Sequence, residues 1–543
     1  MISRLLLLVL FVIPGLSYGQ DEAKMDEAVQ AFAKEGRFMG SVLVARGNQV
    51  LLSKGYGTAN LEWAIPNDAT TKFRLGSVTK QFTAAAILLL EERGKLKIDD
   101  PVKAYLPDAP AAWDKVTIFH LLTHTSGIPS FTDFPDYRTS EATASTPEQL
   151  VARFRDKPLE FAPGEKWKYS NSGYVLLGYL IEKVSGEPYA KFVKENIFDP
   201  LGMKNSGYDS NSAIIPHRAA GYEPSSNGPV NAGFIHMTIP SSAGALYSTT
   251  EDLLRWEQGL FGGKLLSAAS LQKMTTPFKN DYAFGVAAVT KDGVKVIAHG
   301  GGIEGFSTYL AYFPGDQLTV VVLCNLVSSN PEAIARVLGD LAHGKEVKLP
   351  TEHKATGIPV AVLQKYVGTY ELTPGVKNYV TIDGDHLMTQ LTGQPAFPLF
   401  AESETKFFLK VVDAQMEFVK NDKGEVTHLI LFQNGHEMKA PRLSGSIEKP
   451  AERKAVIVPV EKLKQYVGTY ALNPNFEIAV TLEGEQLMEQ ATRQPKFPIF
   501  AESETKFFLK VVDAQIEFVR DAKGEFTSLI LHQGGHDQPA LRQ

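Results

Sequence analysis

The sequence predicts an α+β domain that is followed by two small all-β repeats. Within residues 20–345, strand-like apolar runs lie near both ends and helical patterns lie between them, which is typical of an antiparallel sheet flanked by helices. Further along, FAESETKFFLKVVDAQ occupies residues 400–415 and again residues 500–515, and Tyr366-Val-Gly-Thr-Tyr370 recurs 100 residues later. Two copies at this long period indicate duplicated domains rather than a solenoid.

The order of elements in the first domain follows from hydrophobic pattern and capping signals. Gly47 and Asn48 provide turn chemistry between two apolar runs, and Thr146 followed by Pro147 is a typical helix start. The predicted helices cover residues 77–93, 146–154, 172–184 and 250–258, and the predicted strands cover 41–45, 50–53, 294–298, 308–313 and 318–324. The single cysteine, Cys324, falls in the last strand as a core residue, so no internal disulfide is expected.

Each repeat is predicted to form a small antiparallel sheet or barrel, over residues 360–443 and 456–543. Gly384 and Gly484 supply hairpin turns at equivalent positions of the two repeats. A polar linker, residues 344–359, is predicted before the first repeat, and a charged linker, residues 444–454, between the repeats.

The N-terminus has the pattern of a signal peptide over residues 1–19. Arg4 is followed by an apolar run, and Ser17 and Gly19 are small residues before the expected cleavage site. The mature chain is therefore expected to be exported, to the periplasm or outside the cell, with an uncleaved anchor as the alternative. No later segment predicts a membrane span. The formal net charge of −6 argues against nucleic acid as a partner.

Ser77 and Lys80 form the first candidate catalytic pair. They lie three residues apart at the start of an apolar, alanine-rich helical run, so their side chains share a helix face. A serine hydroxyl beside a basic partner can become a nucleophile. S-x-x-K occurs five times in the chain, but only Ser77 is followed by a long apolar helix. The alternative is that Ser77 is an ordinary helix cap.

Two further motifs carry candidate site residues. Tyr169-Ser-Asn171 precedes a predicted helix; Tyr169 can act as a base only if a nearby cation, such as Lys80, lowers its pKa. Asn171 can bind a substrate amide and hold Lys80. His299-Gly-Gly301 ends a strand, where glycines let a substrate backbone approach closely. A surface tyrosine beside an Asn turn, and a histidine that only hydrogen-bonds, are the alternatives.

Other patterns are rejected on their context. The GLSYG of residues 15–19 lies in the expected signal peptide, and the HGGG that begins at His299 has no elbow serine downstream. The G-x-G-x-x-G of residues 300–305 precedes a strand rather than a helix. His120 and His124 have metal-ligand spacing on a predicted helix, but they lack an acidic partner and packing is favoured. No metal or cofactor is predicted.

The motifs S-x-x-K, Y-x-N and H-x-G, in that order, resemble the serine β-lactamase, DD-peptidase and esterase superfamily, and above all its class C-like branch. Matching stretches at residues 73–77, 120–127, 245–252 and 300–306 extend the resemblance over residues 25–340. It implies a β-lactamase-like (DD-peptidase) fold for the first domain. The two trailing β domains are similar in layout to the D-stereospecific aminopeptidases of this superfamily.

The resemblance also implies a role for each motif residue. Ser77 would be the acylated nucleophile, and Lys80 and Tyr169 would share the role of base. The backbone N–H groups of Ser77 and Gly302 would form an oxyanion hole, in which one donor is typically worth about 3–4 kcal/mol. The residues that would bind substrate are Asn171, His299, Gly300 and Gly301.

One departure from the family pattern bears on the substrate. Class C β-lactamases carry K-T-G where this chain has His299-Gly-Gly, and a free histidine is mostly neutral at neutral pH. We therefore expect weaker recognition of a substrate carboxylate, and a serine peptidase or amidase that acts on D-amino-acid substrates, either as a D-aminopeptidase or as a DD-carboxypeptidase-like enzyme. An esterase, a β-lactamase and a penicillin-recognising binding protein without turnover are the alternatives.

The partner would be a small molecule or a peptide, including fragments of peptidoglycan, and the oligomeric state stays open. Residues 129–146, with Phe131, Phe134 and Tyr137, are expected to wall the cleft. By the same resemblance, one β repeat is expected to reach over the active site. A role as a spacer or in binding cell-wall material is the alternative for the repeats.

Overall fold

The computed structural model describes residues 15–543 apart from 35, 37, 135, 226–227, 292, 348–354, 374–375, 393–395, 410–413, 434–435, 444–455, 457, 474–475, 485, 492–496, 510–513, 522 and 534–535. The chain divides into two compact units, Met1–Thr351 and Glu352–Gln543. Residues 1–14 of the expected signal peptide lie outside the described residues, as does the linker at 444–454. Among the described helices, none has both the length and the apolar character that crossing a bilayer requires.

The first unit has the α+β organisation that the sequence predicts. Its helices are α1 Gly15–Lys34, α2 Thr79–Glu92, α3 Ile118–Leu122, α4 Tyr137–Ser140, α5 Pro147–Arg155, α6 Asn171–Ser185, α7 Tyr189–Val193, α8 Asp199–Leu201, α9 Ser241–Gly244, α10 Thr250–Phe261, α11 Ala268–Thr275 and α12 Pro331–Ala342. Its strands are β1 Gly40–Arg46, β2 Gln49–Tyr56, β3 Thr58–Asn60, β4 Ile65–Pro66, β5 Phe73–Arg74, β6 Gly207–Tyr208, β7 Tyr222–Ser225, β8 Gly228–Asn231, β9 Leu246–Ser248, β10 Ala287–Lys291, β11 Val294–Ile303, β12 Phe306–Phe313 and β13 Leu318–Cys324.

The central sheet is antiparallel, with the strand order β10-β11-β12-β13-β1-β2. The two ends of the domain therefore meet in one sheet, as the sequence predicts. β11 extends to Ile303, beyond the predicted end at Ala298. β10 pairs with β11 only as far as Ala298, so in the described structure residues 299–303 have a strand partner on one side alone. This open backbone edge lies beside the predicted nucleophile.

Apolar layers cover both faces of the sheet. On one face, α1 and α12 contribute Met25, Val29 and Ile334 to a core with Val322 of β13. On the other face α10 packs against β1 and β13, and α2 lies in the same core, with every residue from Thr79 to Leu90 buried. A helix surrounded by apolar contacts on all sides belongs in the middle of a core. This packing holds the residues at the N-terminus of α2 in place.

The second unit consists of two closed barrels of eight antiparallel strands, which confirms the expected all-β repeats. The first barrel contains α13 Val360–Leu363, β14 Gly368–Thr373, β15 Val376–Asp383, β16 His386–Leu391, β17 Phe397–Ala401, β18 Lys406–Phe408, β19 Ala414–Lys420, β20 Val426–Gln433 and β21 His436–Leu443. The second contains α14 Val460–Leu463, β22 Gly468–Asn473, β23 Phe476–Glu483, β24 Gln486–Ala491, β25 Phe497–Ala501, β26 Lys506–Leu509, β27 Ala514–Arg520, β28 Phe526–Gln533 and β29 His536–Arg542. The expected hairpin turns form at Gly384 and Gly484, with φ angles of +60° and +62°.

The repeated Tyr-Val-Gly-Thr-Tyr motif has the same structural role in each barrel. The hydroxyl of Tyr370 donates to the carbonyl of Tyr366 at 2.7 Å, and the second barrel makes the same bond 100 residues later. A Cβ on Gly368 would lie 2.8 Å from Nε of Arg442. Glycine therefore makes room for an arginine of the last strand against the first.

Candidate active site

Ser77 lies in a 3₁₀ turn, Gly76–Val78, that leads directly into α2. The N-cap residue of α2 is Val78, which makes no side-chain capping bond, so the alternative of Ser77 as an ordinary cap does not apply. Lys80 has no exposed surface, and its Nζ lies 3.0 Å from Ser77 Oγ. The predicted pair is therefore in hydrogen-bonding contact.

Lys80 is buried without a carboxylate partner in the described structure. Its Nζ lies 2.9 Å from Asn171 Oδ1 and 2.8 Å from the Ala243 carbonyl oxygen. Burial lowers the pKa of Lys80 well below its ordinary value. A neutral amine has two N–H donors and one lone pair. In that state the two carbonyl oxygens would take both donors, and the lone pair would be free to accept the hydroxyl hydrogen of Ser77.

Glycines let strand β11 come close to the turn that carries Ser77. Gly76 has a φ of +54°, and a Cβ there would lie 2.8 Å from the backbone nitrogen of Gly302. A Cβ on Gly301 would lie 2.0 Å from the carbonyl oxygen of Leu75. The same oxygen accepts a hydrogen bond from Thr308 Oγ1 at 2.7 Å. Any side chain at these two glycines would push the strand away from the turn.

Tyr169 reaches the pair from the loop before α6. The loop is held by Ser170, whose N–H donates to His124 Nδ1 at 3.1 Å and whose Oγ accepts from the Gly173 N–H at 3.3 Å. Lys80 Nζ lies 4.8 Å from the centroid of the Tyr169 ring. Burial raises the pKa of Tyr169, and its interaction with Ser77 offsets only part of that rise. The expected lowering by Lys80 is not found, and the phenol is protonated at neutral pH.

His299 lies where β11 passes the end of β10 and is 9% exposed. Its Nδ1–H donates to the Gly300 carbonyl, so Nε2 of the neutral ring accepts from the Tyr282 hydroxyl at 2.9 Å. Burial lowers the pKa of His299 to about 4. The imidazole is therefore uncharged at pH 7, and both of its nitrogens bond within the protein.

Sequence reasoning missed the aromatic side chains that pack around the pair. The prediction that His124 lies on a helix is wrong, because α3 ends at Leu122 and His124 has a φ of +57°. Its ring centroid lies 4.3 Å from that of Tyr169 and 4.7 Å from that of Tyr282. The only signal in the sequence was the family-like stretch at residues 120–127. Within the described part of the chain, no group of three or more His, Cys, Asp or Glu side chains could hold a metal ion.

Ser77 opens into a narrow cavity of about 90 Å³. Two other predicted site residues, Asn171 and Gly302, also line it, whereas Gly300 and Gly301 do not. The loop expected to wall the cleft contributes three side chains but not Phe134; they are Phe131, Thr132 and Tyr137. Glu304, which sequence reasoning did not single out, directly follows β11 and lines the same cavity. No lysine or arginine is among the described residues that line it.

Comparisons with known proteins bear on the family of the chain. The Beta-lactamase family model matches residues 25–344, and a model described as a domain of unknown function, DUF3471, matches residues 352–442 and 452–541. Penicillin-binding protein 4* of Bacillus subtilis (strain 168) is 31% identical over 441 residues, which cover 76% of this chain and 97% of that protein.

Two solved structures share the fold. An octameric penicillin-binding protein homologue from Pyrococcus abyssi has a TM-score of 0.56 and 29% identity, and the match covers 78% of this chain and 99% of that one. A D-stereospecific amidohydrolase from Streptomyces sp. has a TM-score of 0.53 and 27% identity, covering 60% and 99%. The chain therefore belongs to the β-lactamase family and is a serine hydrolase related to penicillin-binding proteins.

Proposed function

We propose that this serine hydrolase cleaves amides or peptides at a D-amino acid, through an acyl-enzyme on Ser77. The observation that carries the proposal is the buried Lys80 amine, whose Nζ lies 3.0 Å from Ser77 Oγ. The neutral His299 and the absence of lysine or arginine among the described residues that line the cavity leave no cationic lining residue for a β-lactam carboxylate. Similarity to the Streptomyces D-stereospecific amidohydrolase supports the substrate class.

In the proposed acylation, Lys80 Nζ accepts the hydroxyl proton while Ser77 Oγ bonds to the substrate carbonyl carbon. The backbone N–H groups of Ser77 and Gly302 stabilise the negative oxygen. Tyr169, which is protonated at neutral pH, donates its proton to the leaving nitrogen as the C–N bond breaks, and the Lys80 ammonium reprotonates the phenol.

Deacylation reverses the proton path. A water molecule loses its proton through Tyr169 to Lys80 as its oxygen bonds to the acyl carbon. The bond to Ser77 Oγ then breaks, and the serine oxygen takes the proton back from the Lys80 ammonium. The free acid leaves, and the neutral amine and the neutral phenol are restored.

Hydrolysis of D-alanine p-nitroanilide, with L-alanine p-nitroanilide for comparison, tests the proposal. Intact-mass spectrometry would detect the acyl group on the wild-type protein but not on Ser77→Ala. We expect release of p-nitroaniline from the D isomer only, lost in Ser77→Ala. Equal rates for both isomers would overturn the D-specificity, and turnover by Ser77→Ala would overturn the assignment of the nucleophile.

An esterase is the second candidate, because the cavity is small and its described lining carries no cation that selects an anionic substrate. A short, uncharged acyl group fits such a cavity, and an ester has a better leaving group than an amide. A kcat/KM for p-nitrophenyl acetate well above that for every D-amino-acid amide tested would favour this candidate.

We also propose that the protein is exported, on the signal-peptide pattern of residues 1–19. N-terminal sequencing of the protein from the periplasm or the medium should give a chain that begins at Gln20. Recovery from the cytosol with an intact N-terminus would contradict export.

A further inference from the structure

Glu304 occupies a turn that belongs to the catalytic cavity. β11 ends at Ile303 and β12 begins at Phe306, and these two residues pair directly, so Glu304 and Gly305 form a two-residue turn. Glu304 follows the predicted oxyanion donor Gly302 by two positions and lines the same cavity as Ser77. A carboxylate therefore lies on the substrate side of the nucleophile.

The Glu304 carboxylate is only partly neutralised within the protein. One of its oxygens, Oε1, accepts from Arg138 Nη1 at 3.2 Å. The other oxygen, Oε2, is fully enclosed and has no hydrogen-bond partner among the described residues. The whole side chain is only 12% exposed. An enclosed carboxylate oxygen without a donor is costly, so the Glu304 carboxylate gains by turning toward a donor that a ligand brings into the cavity.

A second carboxylate competes for the same arginine. Glu141, with a side chain 11% exposed, lies 3.3 Å from Arg138 Nη1, while the Arg138 side chain is 75% exposed. Burial, followed by the charge of Glu304, raises the pKa of Glu141. Two largely enclosed carboxylates thus share one solvent-exposed guanidinium, and an excess of negative charge remains beside the cavity.

This charge pattern would discriminate between negatively and positively charged substrates. A substrate carboxylate entering the cavity would meet the excess negative charge and would be repelled. A protonated amine would supply both a donor to the Glu304 carboxylate and the missing positive charge, and such charge-assisted bonds are the strong ones. In an unblocked amino-acid amide, one carbon atom, Cα, separates the α-ammonium nitrogen from the scissile carbonyl carbon. Both groups can therefore occupy the same small cavity.

We propose that Glu304 binds the free α-ammonium group of the substrate, so that the enzyme acts on unblocked N-terminal D-residues and D-amino-acid amides. This inference rests on the proposed function, because it assumes that an amine-bearing acyl group is transferred to Ser77. Glu304 is a specificity-determining residue in this scheme, and Glu141 adds to the negative electrostatic potential around it.

The test compares D-alanine p-nitroanilide with N-acetyl-D-alanine p-nitroanilide, which lacks the charge. We expect the full-length wild type to prefer the free amine at least tenfold in kcat/KM. Glu304→Gln, which removes the charge and keeps the shape, should reduce that preference at least tenfold, mainly through a higher KM. Glu27→Gln, at an exposed position of α1, is the matched control and should leave the preference unchanged.

A binding measurement separates failure of the inference from failure of the proposed function. Calorimetric titration of Ser77→Ala with D-alaninamide and with N-acetyl-D-alaninamide needs no turnover. Binding of the free amine alone, lost in the Ser77→Ala, Glu304→Gln double variant, supports the ammonium site even if no substrate is hydrolysed. Equal binding of both amides, or a preference that Glu304→Gln does not change, overturns it. Thermal unfolding of each variant shows whether it is folded.

Discussion

Replacing Asn171 by aspartate tests whether Lys80 acts as a neutral base. Asn171 Oδ1 lies 2.9 Å from Lys80 Nζ, so Asn171→Asp would place a carboxylate of the same shape against the amine. Two unit charges about 3 Å apart attract by about 6 kcal/mol at an effective dielectric constant of about 20. The cost of burying the new carboxylate offsets much of this energy. We expect a net rise of about 1–3 units in the pKa of Lys80.

A raised pKa keeps Lys80 protonated at neutral pH, and an ammonium cannot accept the proton of Ser77. Each pKa unit corresponds to about a tenfold change, so kcat/KM at pH 7 should fall by up to about 1000-fold. The acid limb of the kcat/KM profile reports the essential base of the free enzyme. This limb should move to higher pH in Asn171→Asp, and activity should recover as the pH rises through the new pKa.

The assay is a kcat/KM profile between pH 5 and pH 10, with p-nitrophenyl acetate or D-alanine p-nitroanilide as substrate. Asn171→Ala is the matched control, because it removes the same oxygen without adding charge. It should lose activity without moving the acid limb to higher pH. An Asn171→Asp profile that coincides with the wild type, or an acid limb at lower pH, would refute the assignment of Lys80 as the base.

Three further predictions concern the turn, the second barrel and the substrate. Gly76→Ala should abolish turnover of every substrate, because φ is +54° and the new Cβ would lie 2.8 Å from Gly302 N; near-wild-type kinetics would contradict the close approach of β11. Glu489, 3% exposed in the second barrel, has its pKa raised by burial from 4.5 to about 7. The folded state therefore holds a proton that the unfolded state releases between these values, and stability falls by about 3 kcal/mol as the pH rises from 4.5 to 7. Glu489→Thr, which copies Thr389 of the first barrel, should remove this loss of stability. Urea unfolding of the full chain at pH 5 and pH 8 measures the free energy of unfolding of the variant and the wild type. A substitution that changes this free energy equally at both pH values would contradict the prediction. Finally, cephalosporins should be hydrolysed more slowly than D-amino-acid amides or simple esters in a direct spectrophotometric comparison. The opposite order would contradict the argument that the neutral His299 weakens recognition of a substrate carboxylate.

Much of the fold could be predicted from the sequence because its signals are local. The apolar run after Ser77 predicts a buried helix, and Thr146-Pro147 predicts a helix start that the structure places at Pro147. The 100-residue repeat predicts two equal β domains, which form closed barrels. The extent of β11 was underestimated, because the three glycines after His299 have no side chains whose alternation could mark a strand. Only the pairing with β12 extends β11 to Ile303.

The chemistry of the site was less accessible from the sequence. S-x-x-K places a serine and a lysine on one helix face, but it does not say whether the lysine is charged. Burial decides that, and the residues that enclose Lys80 include Asn171 and Ala243, which are 91 and 163 positions away. The same is true of His124, which a helical spacing rule misplaced because a left-handed residue after α3 turns the chain toward Tyr169.

The sequence by itself determined the family, the two-part organisation and the candidate nucleophile, since each depends on motifs and periodicity along the chain. Only the tertiary structure decided which groups are neutral, which side chains line the cavity and where an unpaired carboxylate oxygen remains among the described residues. Arg138 and Glu304, for example, are 166 residues apart and meet at 3.2 Å. Desolvation and Coulomb energy depend on distances in space, and those distances exist only once distant segments have packed together.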